Sequence, residues 1–110
     1  MINYDDFKKV EIKVGEILSA EKIPDTDKLL KLSVNLGEEN PRQIISGIAL
    51  YFPEPAELVG KKCFFVANLE PRTIRGFESN GMLFAAGGND DIPFSLIQAS
   101  DAIPAGTPAN

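Results

Sequence analysis

Two arginines three positions apart, Arg72 and Arg75, are the residues of this 110-residue chain whose type and spacing could do chemistry. They stand in the stretch N-L-E-P-R-T-I-R-G-F-E-S-N-G-M, which begins at Asn68, where an apolar run ends. Pro71 fixes one backbone angle before the arginines, and Gly76 permits a close backbone approach after them. A short, stiff loop or strand presenting two guanidinium groups suits planar or phosphate-like anions. An ordinary surface turn with two solvated arginines fits the same residues, so both interpretations stay open.

Other kinds of site have little support in the sequence. The chain has no histidine and one cysteine, Cys63, which excludes zinc sites with these ligands and Cys-His or Ser-His-Asp catalysis. The nucleotide-binding fingerprints GxxxxGK[ST] and GxGxxG are absent. The run Asp25–Asp27 lacks the remaining ligand spacing of a calcium loop and is interpreted as a turn cap. We therefore predict a protein that is not an enzyme and has no metal or cofactor.

Phe77 follows Gly76 in the same stretch and has two interpretations. Its ring could stack on an unpaired base, as aromatic side chains do in single-strand binders. A packing role, in which Phe77 holds the arginine-bearing loop in place, is the commoner one for such a residue. Phe64, Phe65 and Phe84 lie in apolar runs and are expected in the core.

Period-two alternation of apolar and polar residues predicts a series of short strands. We expect strands over Glu11–Ile23 with a bend near Gly15, Leu29–Val34, Gln43–Ser46, Lys62–Ala67, Met82–Ala86 and Phe94–Gln98. Prolines and a closing glycine within residues 51–60 predict one short helix between strands three and four. This pattern is typical of an all-β, five-stranded Greek-key barrel of the oligonucleotide/oligosaccharide-binding type, the OB-fold, here with extra terminal segments.

Length and composition predict one domain over residues 1–110. The apolar fraction is 44% and the charged fraction 25%, as in globular proteins. No apolar segment approaches the roughly 18 residues that span a bilayer. The residues Met1–Asp6 lack the basic and apolar regions of a signal peptide. We therefore expect a cytoplasmic protein.

The net charge of −5 argues against a generic nucleic-acid binder, whose surface is normally basic. The charge is unevenly distributed along the chain. Residues 1–60 carry 7 basic and 11 acidic groups, residues 61–76 carry 4 and 1, and residues 77–110 carry 0 and 4. Because screening reduces charge effects beyond about 8 Å at physiological salt, a local positive segment can still hold phosphates.

Three motifs, in this order and spacing, resemble the tRNA-binding domain family: Pro24–Leu29, Ile45–Ile48 and Asn68–Met82. That family includes the appended domain of bacterial methionyl-tRNA synthetases and free-standing tRNA-binding proteins. The resemblance extends from about Phe7 to about Pro104. It implies an OB-fold that recognises tRNA by shape and backbone, at the outer corner where the two arms meet.

The same resemblance assigns roles to individual residues. Arg72 and Arg75 would grip phosphate or ribose, and Met82 would contact the RNA or support the loop. Glu70 and Thr73 depart from the family pattern, because many members carry lysine in this loop. The positions that match the family's tRNA-binding motif are Lys28, Ser46, Asn68, Arg72, Arg75, Ser79 and Met82.

The resemblance also implies partners: tRNA, an aminoacyl-tRNA synthetase and a second copy of the chain. Members are often homodimers joined through terminal segments, here Met1–Phe7 and the stretch after Asp91, where Phe94, Leu96 and Ile97 are apolar. Three functions stay open. The chain could be a tRNA-binding protein or trans-acting synthetase subunit, a secretion-chaperone-like peptide binder of the same family, or an interaction module that has lost RNA binding.

Overall fold

The computed structural model describes residues 1–110, which form a nearly closed antiparallel barrel. Its elements are α1 (Tyr4–Phe7), β1 (Ile12–Lys22), β2 (Leu30–Asn35), β3 (Arg42–Ser46), β4 (Lys62–Val66), β5 (Arg72–Ile74), β6 (Phe77–Ser79), β7 (Met82–Leu83), β8 (Ala85–Ala86), β9 (Ser95–Leu96) and β10 (Pro108–Ala109). The main sheet has the order β3-β2-β1-β4-β7, with β10 beside β1. The predicted all-β OB-type barrel is confirmed.

The barrel forms around β1, which pairs with β4 along its first half and with β2 along its second. Alternation along β2 sends Leu30, Leu32 and Val34 into the core, where each is 0% exposed. Gly15 lies against this core, because a Cβ there would stand 2.7 Å from side-chain atoms of both Phe65 and Val34. The core is therefore packed so closely around Gly15 that an added methyl group would clash there.

Several element boundaries differ from the prediction. The register shift in β1 lies between Ile17 and Ser19, beyond the bend expected near Gly15. The strand predicted over Met82–Ala86 divides into β7, which pairs with β4, and β8, which pairs with β9. The one predicted helix consists of two 3₁₀ turns, at Ala49–Tyr51 and Pro55–Leu58. These short pieces lack the periodicity that reveals longer elements.

Two further features of the strand pairing were not predicted. The stretch between β4 and β7 contains the β5–β6 hairpin, and the weakly patterned tail ends in β10. In β10, Ala109 lies opposite Ile12 and Pro108 opposite Lys13. Proline at an edge position and a two-residue strand leave no alternation that could have indicated it.

The hairpin closes the barrel by bonding to β3. The Asn80 backbone N–H donates to the Gln43 carbonyl at 2.8 Å, and the Gln43 side chain donates to the Glu78 carbonyl at 3.0 Å. The Ile45 N–H donates to the Ser79 hydroxyl at 2.9 Å. Side chains therefore complete the gap between β3 and β6 where no continuous backbone ladder forms.

At the N-terminus, α1 is a single turn whose first N–H groups are capped by Asn3. The Asn3 side chain accepts from the Asp6 N–H at 2.8 Å. None of its four residues is buried, so this turn lies on the surface. No helix of the molecule has the length and apolarity needed to cross a membrane.

Candidate nucleic-acid interface

The β5–β6 hairpin turns at Arg75-Gly76, since Ile74 pairs directly with Phe77. Both turn residues have positive φ, +52° at Arg75 and +84° at Gly76. Such two-residue turns are favoured in hairpins, because their twist matches that of the flanking strands. No atom lies within 4 Å of a Cβ built on Gly76, so a side chain would have space there. Glycine is favoured at this position because of its positive φ. The turn places Arg75 at the exposed tip.

Both arginines of the hairpin are exposed and lack a protein partner. Neither Arg72 nor Arg75 forms a hydrogen bond or ion pair through its guanidinium group. The molecule has three ion pairs, which are Lys9–Asp6, Lys31–Glu21 and Arg42–Glu38. The two guanidinium groups are therefore available to an anionic ligand.

A groove beside the tip brings Lys28 and Arg75 together. Its walls are the turn after β1 and the end of β5, and its lining residues are Thr26, Asp27, Lys28, Leu29, Ile74 and Arg75. Lys28 is exposed, and its ammonium group has no ion-pair partner. Two cations that are 47 positions apart in sequence thus face one opening, next to a single carboxylate. This arrangement can hold a phosphate group.

A second groove adjoins the first through Ile74. It contains three more of the sequence-predicted residues, Arg72, Ser79 and Met82, together with Ile45, Leu69, Glu70, Ile74 and Gly81. Ser46 follows Ile45 on β3 and pairs across with Leu30, two residues beyond Lys28. The two grooves together contain five of the seven predicted site residues, and Ser46 lies next to Ile45, which lines the second groove.

Two of the predicted residues use their side chains inside the protein. Ser79 is only 5% exposed, and its hydroxyl accepts from the Ile45 N–H. Asn68 accepts from the Glu11 N–H at 2.9 Å and donates to the Lys9 carbonyl at 2.6 Å. Asn68 therefore ties the start of the hairpin segment to the N-terminal residues, and Ser79 ties its end to β3.

The positive segment found in the sequence divides in space. Lys61 and Lys62 lie at the beginning of β4, whereas the hairpin follows its other end, roughly 20 Å away at about 3.3 Å per residue. Lys62 also donates to the carbonyls of Asp101 at 2.9 Å and Ile103 at 2.7 Å, which secures the tail. The lysine that lies beside Arg75 is instead Lys28.

One face of the Phe77 ring is in contact with Lys31, and the residue is half-buried. The Lys31 ammonium nitrogen lies 5.2 Å from the centre of its ring and 3.6 Å from a Glu21 carboxylate oxygen. A cation over an aromatic ring is attracted by the negative face of the ring. This contact joins β6 to β2, so it supports the interpretation of Phe77 as a residue that holds the hairpin.

Arg42 is a residue that sequence reasoning missed. It makes a two-point contact with the Glu38 carboxylate, through Nε at 2.8 Å and Nη2 at 2.7 Å. This contact lowers the pKa of Glu38 and raises that of Arg42. Glu38 and Arg42 are four positions apart in the sequence. That spacing predicts an ion pair only within a helix, whereas residues 37–41 were predicted to form a polar loop.

The rest of the molecule offers no alternative reactive centre. Cys63 is fully buried, and burial raises the pKa of its thiol to about 11, so the thiolate is disfavoured. No group of three or more Cys, Asp or Glu side chains is arranged to hold a metal ion. The arginine-bearing hairpin and its two grooves are therefore the strongest candidate site.

Comparison with known families matches residues 12–108 to the family described as "Putative tRNA binding domain". The match covers the barrel, the hairpin and both grooves. The chain belongs to the tRNA-binding domain family. Its three motifs, first noted from the sequence, lie within the matched region, at the end of β1, the end of β3 and the hairpin.

Relatives with similar sequences carry this domain as a small part of a long chain. The methionine–tRNA ligase of Enterococcus faecalis is 46% identical over 105 residues, which is 96% of this chain but 16% of the ligase. That of Methanospirillum hungatei is 51% identical over 106 residues, or 96% of this chain and 15% of the ligase. The chain thus spans about one sixth of these relatives.

Solved structures of similar size share the whole fold. A MetRS-related protein from Pyrococcus horikoshii superimposes with a TM-score of 0.90 at 42% identity, covering 99% of this chain and 97% of the other. The CsaA chaperone protein from Picrophilus torridus has a TM-score of 0.85 at 28% identity, with both chains fully covered.

Proposed function

We propose that this protein binds tRNA as a non-catalytic module that recognises the shape and backbone of the RNA. The observation that carries this proposal is the pair of unpartnered guanidinium groups, Arg72 and Arg75, on a stiff hairpin beside Lys28. Guanidinium groups bind phosphate through parallel N–H donors, and a lysine adds a mobile point charge. Membership of the tRNA-binding domain family supports RNA as the anion.

Recognition rests on the backbone of the RNA rather than on its bases. The three exposed cations of the site, Lys28, Arg72 and Arg75, suit phosphates. Two neutral side chains that could have read base edges, Asn68 and Ser79, are engaged within the protein. Folded RNA is distinguished largely by the spatial arrangement of its phosphates and riboses. We therefore expect the protein to bind different tRNAs with similar affinity and to discriminate against unstructured RNA.

The partner enzyme that we propose is a methionyl-tRNA synthetase, served in trans. Methionine–tRNA ligases contain a domain 46% identical to this chain as part of their own length. A MetRS-related protein of matching size from Pyrococcus horikoshii has the same fold. Aminoacylation assays with a synthetase lacking this domain test the role. Addition of the chain should lower the KM for tRNA and leave kcat little changed.

Salt dependence of binding gives the sharpest test of the site. Arg72→Ala and Arg75→Ala should each weaken tRNA binding, and the slope of log affinity against log salt should fall by roughly 0.7 to 0.9 for each phosphate that is no longer neutralised. Lys61→Gln removes the same charge at the far end of β4 and serves as the matched control. Unchanged binding by the Arg72→Ala/Arg75→Ala double variant would exclude the hairpin from RNA recognition.

We further propose that the protein forms a homodimer through its terminal segments. Met1, Ile2, Tyr4 and Phe7 are all exposed, and α1 has no buried residue. Near the other end, Ile92 and Ile97 are exposed, whereas Phe94 and Leu96 pack against the core. Pairing would place two cationic hairpins on one particle and raise avidity for tRNA.

A second candidate function is peptide binding, favoured by the end-to-end likeness to a protein named as a chaperone. An apolar groove at the termini, lined by Tyr4, Phe7, Val10, Ile12 and Pro108 among others, suits an extended peptide. Competition separates the two functions. Unlabelled tRNA and an unfolded peptide are each added to the protein bound to labelled tRNA, and displacement by peptide at comparable concentration would favour the second candidate.

A further inference from the structure

Arg42 bonds both ends of the segment that carries the cationic hairpin. Its Nη1 donates to the carbonyl of Ala67, directly after β4, and to the carbonyl of Asn80, directly after β6, at 3.3 Å. We call these two carbonyls the hairpin root. All of residues 68–79, including Arg72 and Arg75, lie between them. One side chain from β3 thus bonds both points where the hairpin leaves the barrel.

The guanidinium of Arg42 is itself fixed on its other side. Glu38 accepts from Nε and Nη2, which leaves one of the five guanidinium N–H groups without a described partner. Lysine could not reproduce this arrangement, because an ammonium is a single point charge without the planar fork. The Glu38 carboxylate also cancels the charge of Arg42, so the pair contributes little net attraction to RNA.

We propose that Arg42 is a positioning residue for the RNA-binding hairpin: with Glu38 it holds the hairpin root, and through the root it sets where Arg72 and Arg75 meet the RNA backbone. This inference rests on the proposed function only where tRNA binding is the quantity measured. The Lys31–Phe77 contact and the bonds from Gln43 and Ile45 on β3 hold the β6 side of the hairpin. Arg42 differs from these contacts because it bonds both ends of the hairpin segment at once.

Two substitutions separate positioning from charge. Arg42→Lys keeps the charge and removes the fork, whereas Glu38→Gln keeps the size and removes a negative charge. If Arg42 attracted RNA by charge, Glu38→Gln would free that charge and strengthen binding. If Arg42 positions the hairpin, both substitutions weaken tRNA binding by about tenfold, since small displacements of binding groups are costly. In the positioning case the salt slope stays at the wild-type value, because the same phosphates are neutralised.

Arg72→Lys is the matched comparison on the hairpin itself. There a lysine still offers a charge to phosphate, so affinity should fall less than for Arg42→Lys. A larger fall for Arg72→Lys than for Arg42→Lys, or a lower salt slope for Arg42→Lys, would assign Arg42 to direct phosphate binding and overturn the inference.

Native-state trypsin digestion tests the hairpin root without RNA. Trypsin cleaves after arginine and lysine, and the peptide bonds after Arg72 and Arg75 lie in the hairpin. We expect both to be cut several-fold faster in Arg42→Lys and Glu38→Gln, because local opening exposes them. Cleavage after Lys8, in the exposed N-terminal segment, is the internal control and should not change.

The two assays distinguish failure of the inference from failure of the proposed function. Suppose that the wild-type protein binds no tRNA but trypsin cleaves the hairpin faster in both variants. Arg42 then holds the hairpin root, and the proposed RNA-binding function is wrong. If tRNA binds to the wild type and cleavage is unchanged in both variants, Arg42 does not hold the hairpin. Circular dichroism checks that each variant is folded. If Arg42→Lys does not fold, the results for Glu38→Gln alone test the inference.

Discussion

Ser79, one of the predicted site residues, uses its side chain within the protein. Its hydroxyl is buried between β6 and β3, where it accepts from the Ile45 N–H at 2.9 Å. Without that oxygen, the Ile45 N–H has no partner at this point of the barrel. A buried donor without a partner costs about 1–3 kcal/mol, more than the net value of the bond.

Ser79→Ala should therefore destabilise the protein by about 1–3 kcal/mol, because the Ile45 N–H is left without its acceptor. Urea unfolding monitored by circular dichroism measures the change. Ser95→Ala is the control, since Ser95 is exposed and its hydroxyl bonds only the neighbouring Leu96 carbonyl. Equal stability of wild type and Ser79→Ala would show that the hydroxyl does not hold β6 to β3.

The sequence predicted which residue types would gather but not how each would be used. Arg72, Arg75 and Lys28 are exposed along adjoining grooves, as a binding surface requires. The inward use of Asn68 and Ser79 depends on partners 57 and 34 positions away, which no local pattern contains. For the same reason, the contacts of Arg42 could not be predicted from the sequence.

At the scale of elements, the hairpin was the hardest part to foresee. Its strands have three residues each, too few for alternation to be distinguished from chance. Asn80-Gly81 is a strong turn signal, yet the turn lies at Arg75-Gly76. The longer strands β1 and β2, by contrast, were predicted to within one residue of their ends, and in β2 the alternation matches the burial of every second side chain.

Two glycines test the packing of the barrel: Gly15 in β1 lies against the core, and Gly47 after β3 faces open space. Gly15→Ala forces a methyl group to 2.7 Å from Phe65 and Val34 and should destabilise the barrel by about 1–3 kcal/mol. Gly47→Ala meets no atom within 4 Å, so restriction of the unfolded chain should stabilise the protein by up to about 1 kcal/mol. Urea midpoints compare the two variants, and a neutral Gly15→Ala would mean that the core relaxes.

For the whole molecule, the excess of acidic groups limits where RNA can approach. The net charge is −5, and the free cations of the site lie on one side of the barrel, at the hairpin and the turn after β1. Screening over about 8 Å at physiological salt lets this surface act apart from distant carboxylates. Binding should therefore be restricted to one orientation.

The proposed homodimer gives a prediction at this scale. A stable interface buries about 800 Å² on each partner, roughly a tenth of the 7090 Å² exposed by one chain. The wild type should sediment as a dimer at micromolar concentration, and the Ile2→Ser/Tyr4→Ser double variant should shift to monomer. Leu50→Ser, at a residue 62% exposed outside the terminal segments, is the control. A monomeric wild type would refute the proposal.

The crowding around Gly15 decides what kind of receptor this barrel can be. Some barrels enclose a ligand in a hollow lumen, but a chamber that cannot admit one extra methyl group has no room for a guest. The candidate ligand grooves lie on the outside of the barrel. Surface loops can then change while the packed interior remains the same.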